Sequence, residues 1–274
     1  MRKSRMLVLS LALAALVIIN GLTALLTPGF YSLETENWQA QTIGQDIVDL
    51  FFIAPCLIIS SIVAHKNSRR ASMFRAGVLL YLTYTYVLYC FDVHFNKLFI
   101  LYCITLGLSF YAFLFFLLFH LKNTLDVEKH FRNNSAIRFT GIYFVTVAIL
   151  FYLLWLAEII PAVFQNTRPE SLVETGLVTN GVQVIDLAVF LPGVFIAGML
   201  LLKKLSAGLV LAPIILSFFI LMDVTIAALN VIMNVKQVES NVGVSVIMSF
   251  LALTSVLLFI WFFKQPDTSG DLGS

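Results

Sequence analysis

Eight blocks of about twenty mostly apolar residues restrict what this chain can fold into. They run over 6–26, 43–63, 76–95, 98–121, 139–160, 181–202, 207–233 and 243–263. A helix of about 20 residues crosses about 30 Å of hydrocarbon. Lipid offers the backbone no hydrogen-bond partner, so each block has to close its own bonds as a helix. No stretch alternates with period two strongly enough for a membrane barrel. Asn96-Lys97 and Lys203-Lys204-Leu205-Ser206 are short enough to predict tight helical hairpins.

Composition removes the other classes. The chain is 60% hydrophobic and 12% charged, against about 45–50% and about 25% in soluble domains. A soluble globular enzyme is excluded. So is a disordered or nucleic-acid-binding chain, because the net charge is only +2 and basic tracts are short. The lipid bilayer is the one partner the composition demands. Cys56, Cys90 and Cys103 all fall inside the blocks, so they read as small buried hydrophobes and form no disulfide framework.

Basic residues predict the orientation. With the N-terminus inside, the inner segments hold Arg2, Lys3 and Arg5; Lys66, Arg69, Arg70 and Arg75; Lys122, Lys129, Arg132 and Arg138; Lys203 and Lys204; and Lys264. Only Lys97, Arg168 and Lys236 fall outside, so 14 of the 17 Lys and Arg residues are inner. This is a positive-inside pattern with both termini cytoplasmic. Tyr31 and Trp38 suit the outer interface and Trp261 the inner one. The expected location is a bacterial plasma membrane, spanned many times. Met1-Arg2-Lys3-Ser4-Arg5 before an apolar run also fits the start of a signal peptide. The run reaches Leu26 without a clear small-residue cleavage site, so a retained span is the preferred reading.

The two halves look alike. At an offset of 137, Asp49 meets Asp186, Leu50 meets Leu187, Pro55 meets Pro192, Ile59 meets Ile196 and Lys66 meets Lys203. At an offset of 131, Ala76-Gly77 meets Ala207-Gly208, Leu80 meets Leu211, and Asp92-Val93 meets Asp223-Val224. Asp and Pro are rare in lipid, so their pairing carries the argument. The expected fold is an all-α membrane protein of eight transmembrane helices. These form two same-orientation four-helix repeats, 1–138 and 139–274, with N and C termini inside.

The run Gly44-Gln45-Asp46-Ile47-Val48-Asp49-Leu50, the Tyr-rich third span, the stretch 95–102 and the stretch 184–192 resemble a broad group of uncharacterised bacterial polytopic membrane proteins. The resemblance implies a multi-pass repeat architecture and brings no activity. Asp92 departs from the small residue common in that group, so no family-wide role transfers to it.

Ionisable groups in lipid are costly and mark sites. Asp46 and Asp49 lie in the outer third of span two, and Asp186 at a similar depth in span six. Asp92 and His94 lie near the outer end of span three, Glu158 near that of span five, and Asp223 deeper in span seven. Tyr81, Thr85, Tyr89, Asp92 and Asn96 fall on one helical stripe, as do Asp223, Asn230 and Asn234. The spacing predicts an outward-facing acidic pocket between the halves. Its expected binding residues are Asp49, Asp92, Asp186, Asp223, Asn230 and Tyr89, with Asp46, His94 and Glu158 as secondary candidates. The competing reading is that Asp46, Asp49 and Asp186 cap helix N-termini, or that the polar stripes join helices. Pro55, Pro192 and Pro213 should free the carbonyls of Phe51, Ala188 and Leu209.

Phosphate-loop, serine-hydrolase, zincin and dinucleotide motifs are absent. His65, His120 and His130 lie at the inner surface, away from His94, so a three-His zinc site is excluded and no cofactor is expected. The leading functional reading is binding or transport of a cation, a proton or a cationic small molecule. The alternatives are a membrane-embedded enzyme using paired Asp as acid and base on a lipid or isoprenoid, and a structural or accessory subunit. The charge pattern sets a first test. Cysteines placed at Ser68 and Ser135 should react with an impermeant maleimide only from the cytoplasmic side, and those at Thr35 and Thr167 only from outside. Labelling of Ser68→Cys in intact cells would overturn the orientation.

Overall fold

The computed structural model describes residues 3–122, 134–238 and 240–264. Arg2, Lys129, His130 and Arg132 lie outside the described residues. All regular structure among the described residues is helical: α1 Lys3–Leu26, α2 Glu36–His65, α3 Arg69–Phe91, α4 Phe99–Lys122, α5 Asn134–Gln165, a short α6 Glu170–Thr175, α7 Gly181–Leu202, α8 Ser206–Val235 and α9 Val242–Phe262. All except α6 are long and apolar enough to cross a membrane.

The helix ends are set by polar caps that hydropathy does not register. The Thr35 hydroxyl accepts the Trp38 N–H at 3.3 Å, so α2 begins ahead of its apolar block and includes the polar stretch 36–42. Ser68 caps α3 through Ala71 N–H at 3.3 Å, and Asn180 caps α7 through Gln183 N–H at 3.2 Å. At the other end α3 stops at Phe91, with Asp92 as its C-cap, rather than running to residue 95. Asn96 therefore lies in the turn and not on the helical stripe; its Oδ1 accepts Leu98 N–H at 2.9 Å. The two ends of the bundle are called here the Asp92 end and the Lys66 end.

Two helices carry a π-helical turn, Asp49–Ile53 in α2 and Asp186–Phe190 in α7. Each begins at an Asp and is followed by a proline, Pro55 or Pro192, and the two turns stand 137 residues apart. Proline has no N–H to return to the preceding turn, and one wide turn absorbs the defect. Ala54 N–H bonds the Asp49 carbonyl and Leu191 N–H bonds that of Asp186, five residues back. The wide turn shifts the orphaned carbonyl by one residue. In α7 it is Leu187 rather than Ala188 that takes an outside donor, the Tyr152 hydroxyl at 3.0 Å.

α1 packs on α2 and α4, and α3 packs on α2 and α4. In the second half α5 packs on α7, and α8 packs on α7 and α9. α8 also packs against α3 and α2 and so joins the halves. At the α3–α8 crossing Gly77 lets the backbones meet. A Cβ there would overlap the Ser217 side chain and lie 2.8 Å from the Ile214 carbonyl. Small residues at such crossings replace the hydrophobic drive that lipid cannot supply. Gly77→Ala should destabilise the protein by about 1–3 kcal/mol, the usual cost of overpacking. Gly107→Ala should be neutral, because nothing lies within 4 Å of a Cβ at that position. Thermal unfolding in detergent compares the two, and equal melting temperatures would show that the seam yields.

Candidate functional site: a carboxylate-lined cavity

Five aspartates are buried, and four of them lie within the spans. An unpaired polar group away from water costs several kcal/mol on transfer scales, about 2–7. The fold answers each carboxylate differently.

Asp46 is held by two phenols. Tyr31 donates to its Oδ2 and Tyr89 to its Oδ1, both at 2.7 Å. Asp46 lies well inside α2, which begins at Glu36, so the capping reading does not apply to it. Tyr31 precedes α2, and burial, the Asp46 charge and Tyr102 all push its hydroxyl far above the ordinary tyrosine range. It therefore remains a donor. One turn further on, Asp49 Oδ1 accepts Gln45 Nε2 at 2.8 Å and the Tyr81 hydroxyl at 3.4 Å, while Oδ2 has no partner. Gln45 Nε2 also reaches the Tyr81 hydroxyl at 2.7 Å, which meets Thr225 Oγ1 at 2.9 Å. This chain of contacts links α2 and α3 to α8.

Asp186 is clamped from both halves. The Tyr84 hydroxyl on α3 donates to Oδ1 at 3.0 Å, and Trp155 Nε1 on α5 donates to Oδ2 at 2.9 Å. Asp223 is 6% exposed and its Oδ2 has no hydrogen-bond partner. Both carboxylates line a cavity of about 600 Å³ between α2, α3, α5, α6, α7, α8 and α9. Tyr89 and Asn230 also line it, together with Gln45 and Thr225. Aromatic rings form much of the wall, with Phe190 and Phe218 centroids 4.2 Å apart and Tyr84 edge-on to both. The acidic lining residues are Glu174, Asp186 and Asp223, and no Lys, Arg or His lines the cavity among the described residues.

Asp49 and Asp46 are not among the lining residues; they stand in the wall of the first half, with Gln45 between Asp49 and the cavity. Asp92 holds the Asp92 end together. Its Oδ2 accepts Gly181 N–H at 3.0 Å, where an anion meets the positive end of the α7 dipole. A Cβ on residue 181 would overlap that carboxylate, so a larger residue there would have to displace it. The Asp92 carbonyl accepts Trp38 Nε1 at 2.8 Å. His94 Nδ1 pairs with Glu34 Oε2 at 2.9 Å. Glu158 ties α5 to α6 and α7, accepting Ser171 N–H at 3.2 Å and Gln183 Nε2 at 2.9 Å. Asn234 donates to Ser240 at 3.3 Å, away from the cavity.

Sequence reasoning singled out Asp186 and Asp223 but missed their surroundings. Tyr84 lies off the Tyr81–Tyr89 stripe, and Trp155 carried no motif. Both matter only because another helix brings Asp186 to them. Phe218 and Phe219 had no signal at all in a chain with 25 phenylalanines.

Fold and site together define a multi-pass helical membrane protein with an acidic internal cavity. No protein-family model matches the chain, nor does any curated protein or any solved structure.

Asp92 gives a pH test. Burial raises its carboxyl to about 6, partly opposed by the Gly181 N–H, against about 3.9 in an unfolded chain. Over that window the folded state binds the proton and the unfolded state has lost it, so this group's contribution to stability falls as pH rises. Asn keeps an acceptor for Gly181 and does not titrate. Relative to wild type, Asp92→Asn should therefore gain thermal stability between about pH 4 and about pH 7. Parallel melting curves for the two proteins would refute this.

Proposed function

We propose that the protein is a transporter or binding protein for a small organic cation, held in the cavity between its halves. The observation that carries this reading is the carboxylate of Asp223, buried, with an unpartnered oxygen, in a cavity that Asp186 also lines and that no basic residue lines among the described residues. A buried anion of this kind is stabilised by an occupant of opposite charge.

Size and chemistry favour an organic cation over a proton or a metal ion. A volume of about 600 Å³ falls in the usual range for small-molecule sites, about 300–1,000 Å³. Among the described residues no group of three or more His, Cys, Asp or Glu side chains could hold a metal ion. Aromatic faces such as Tyr84, Trp155 and Phe218 attract cations, by about 2 kcal/mol where water is excluded. Asp186 keeps its two donors, Tyr84 and Trp155, and acts as a fixed negative pole. Asp223 then makes the direct ion pair.

The same reading takes the chain as two same-orientation repeats with both termini cytoplasmic and the Asp92 end outward. The π-helical turns 137 residues apart support the repeat, as does the recurring pattern of α1 on α2 and α5 on α7. A site between repeats is the common transporter arrangement. The uneven distribution of Lys and Arg supports the orientation.

Equilibrium binding of tetramethylammonium and tetraethylammonium to the detergent-purified protein tests the proposal, with an organic anion of similar size as control. Saturable cation binding is expected. Asp223→Asn should weaken it by about tenfold or more and Asp186→Asn by a similar factor, as loss of a desolvated charge pair does. Asp46→Asn, behind the wall, should have a smaller effect. Absence of saturable binding, or equal binding of the anion, would overturn the proposal.

A further inference from the structure

We infer that the occupant of the cavity is an amphiphile, a cationic head with a hydrocarbon tail, and that it reaches the site from the bilayer through a cleft between α5 and α9. This rests on the proposed cation site and adds the tail and the route. α5 and α9 touch toward the Lys66 end. There the Phe139 and Trp261 rings lie 5.5 Å apart, and the Tyr143 hydroxyl meets Ser255 Oγ at 2.9 Å and the Leu251 carbonyl at 3.4 Å. Toward the Asp92 end the cavity runs between the two helices, lined by Val147, Phe151 and Leu154 on α5 and by Val244 and Met248 on α9.

Leu154 lines the cavity and is also 58% exposed. A residue with both properties stands at a mouth. Its position, eleven residues before the Gln165 end of α5, is about 16 Å down the helix axis. α5 is 32 residues long, about 48 Å, so it overshoots about 30 Å of hydrocarbon and leaves Leu154 within the lipid zone. The mouth therefore faces acyl chains. These five residues of α5 and α9 are apolar, whereas the lining carboxylates stand on other helices, Glu174 on α6, Asp186 on α7 and Asp223 on α8. A head that pairs with Asp223 and a tail that lies between Leu154 and Val244 match this division of charge. A tail-free cation would leave the apolar arm of the cavity unfilled.

The test uses the full-length protein in lipid nanodiscs. Labelled tetramethylammonium is displaced by alkyltrimethylammonium ions of increasing chain length. Dodecyltrimethylammonium should displace it at about tenfold or more lower concentration than tetramethylammonium does, since each buried methylene adds affinity. Leu154→Trp with Val244→Trp narrows the mouth and should abolish that advantage while tetramethylammonium still binds. If the double variant loses tetramethylammonium binding as well, Val244→Trp alone is read by the same ratio. A wild-type ratio near one, or an advantage that survives in the narrowed variants, overturns the lateral route and leaves the cation site standing. Failure of every cation to bind the wild-type protein overturns both.

Discussion

A carboxylate inside a lipid-solvated bundle has to be answered by the bundle itself. The rest of this architecture follows from that requirement. Asp46 draws in Tyr31 and Tyr89, Asp186 draws in Tyr84 and Trp155, and Asp92 draws in the first N–H of α7. Several of these contacts cross between segments far apart in the chain. The polar groups therefore fix which helices are neighbours, a task that apolar surface performs poorly when the solvent is itself apolar. Asp49 and Asp223 each keep one oxygen unanswered, and of these two only Asp223 lines the cavity.

The backbone adds a second constraint. Gly77 brings α3 within contact of α8, and this crossing sets how closely the two halves approach. Above it, Tyr81 and Tyr84 reach across to Thr225 and Asp186. The proline-associated π turns place an Asp at the start of each widened segment. In α7 the carbonyl lost to Pro192 is recovered by Tyr152, so the distortion leaves that group bonded.

Much of this was legible in the sequence, and the limits have physical causes. The apolar blocks located eight helices because lipid imposes length and composition on any crossing segment. They misplaced the start of α2, because 36–42 is polar and held by the Thr35 cap instead. The acidic residues were visible as rare charges in apolar surroundings. Their partners were not, because Tyr84 and Trp155 become partners of Asp186 only after α3, α5 and α7 are packed. Periodicity placed Asn96 on a stripe that the helix does not reach, since Asp92 ends it first. The polar stripes pointed to a pocket between the halves, but its apolar arm between α5 and α9 had no sequence signature.

The depth of Asp223 has an electrical consequence. It lies 12 residues from the Val235 end of α8 and 17 from the Ser206 end, about 18 Å and about 26 Å along the axis. A monovalent cation that arrives there from the Asp92 end has crossed roughly a third to a half of the transmembrane field. At about 2.3 kcal/mol per elementary charge per 100 mV, that fraction amounts to about 1 kcal/mol. The dissociation constant of such a cation would then change by about fivefold for each 100 mV. A pocket with the same lining at the water interface would not respond to voltage.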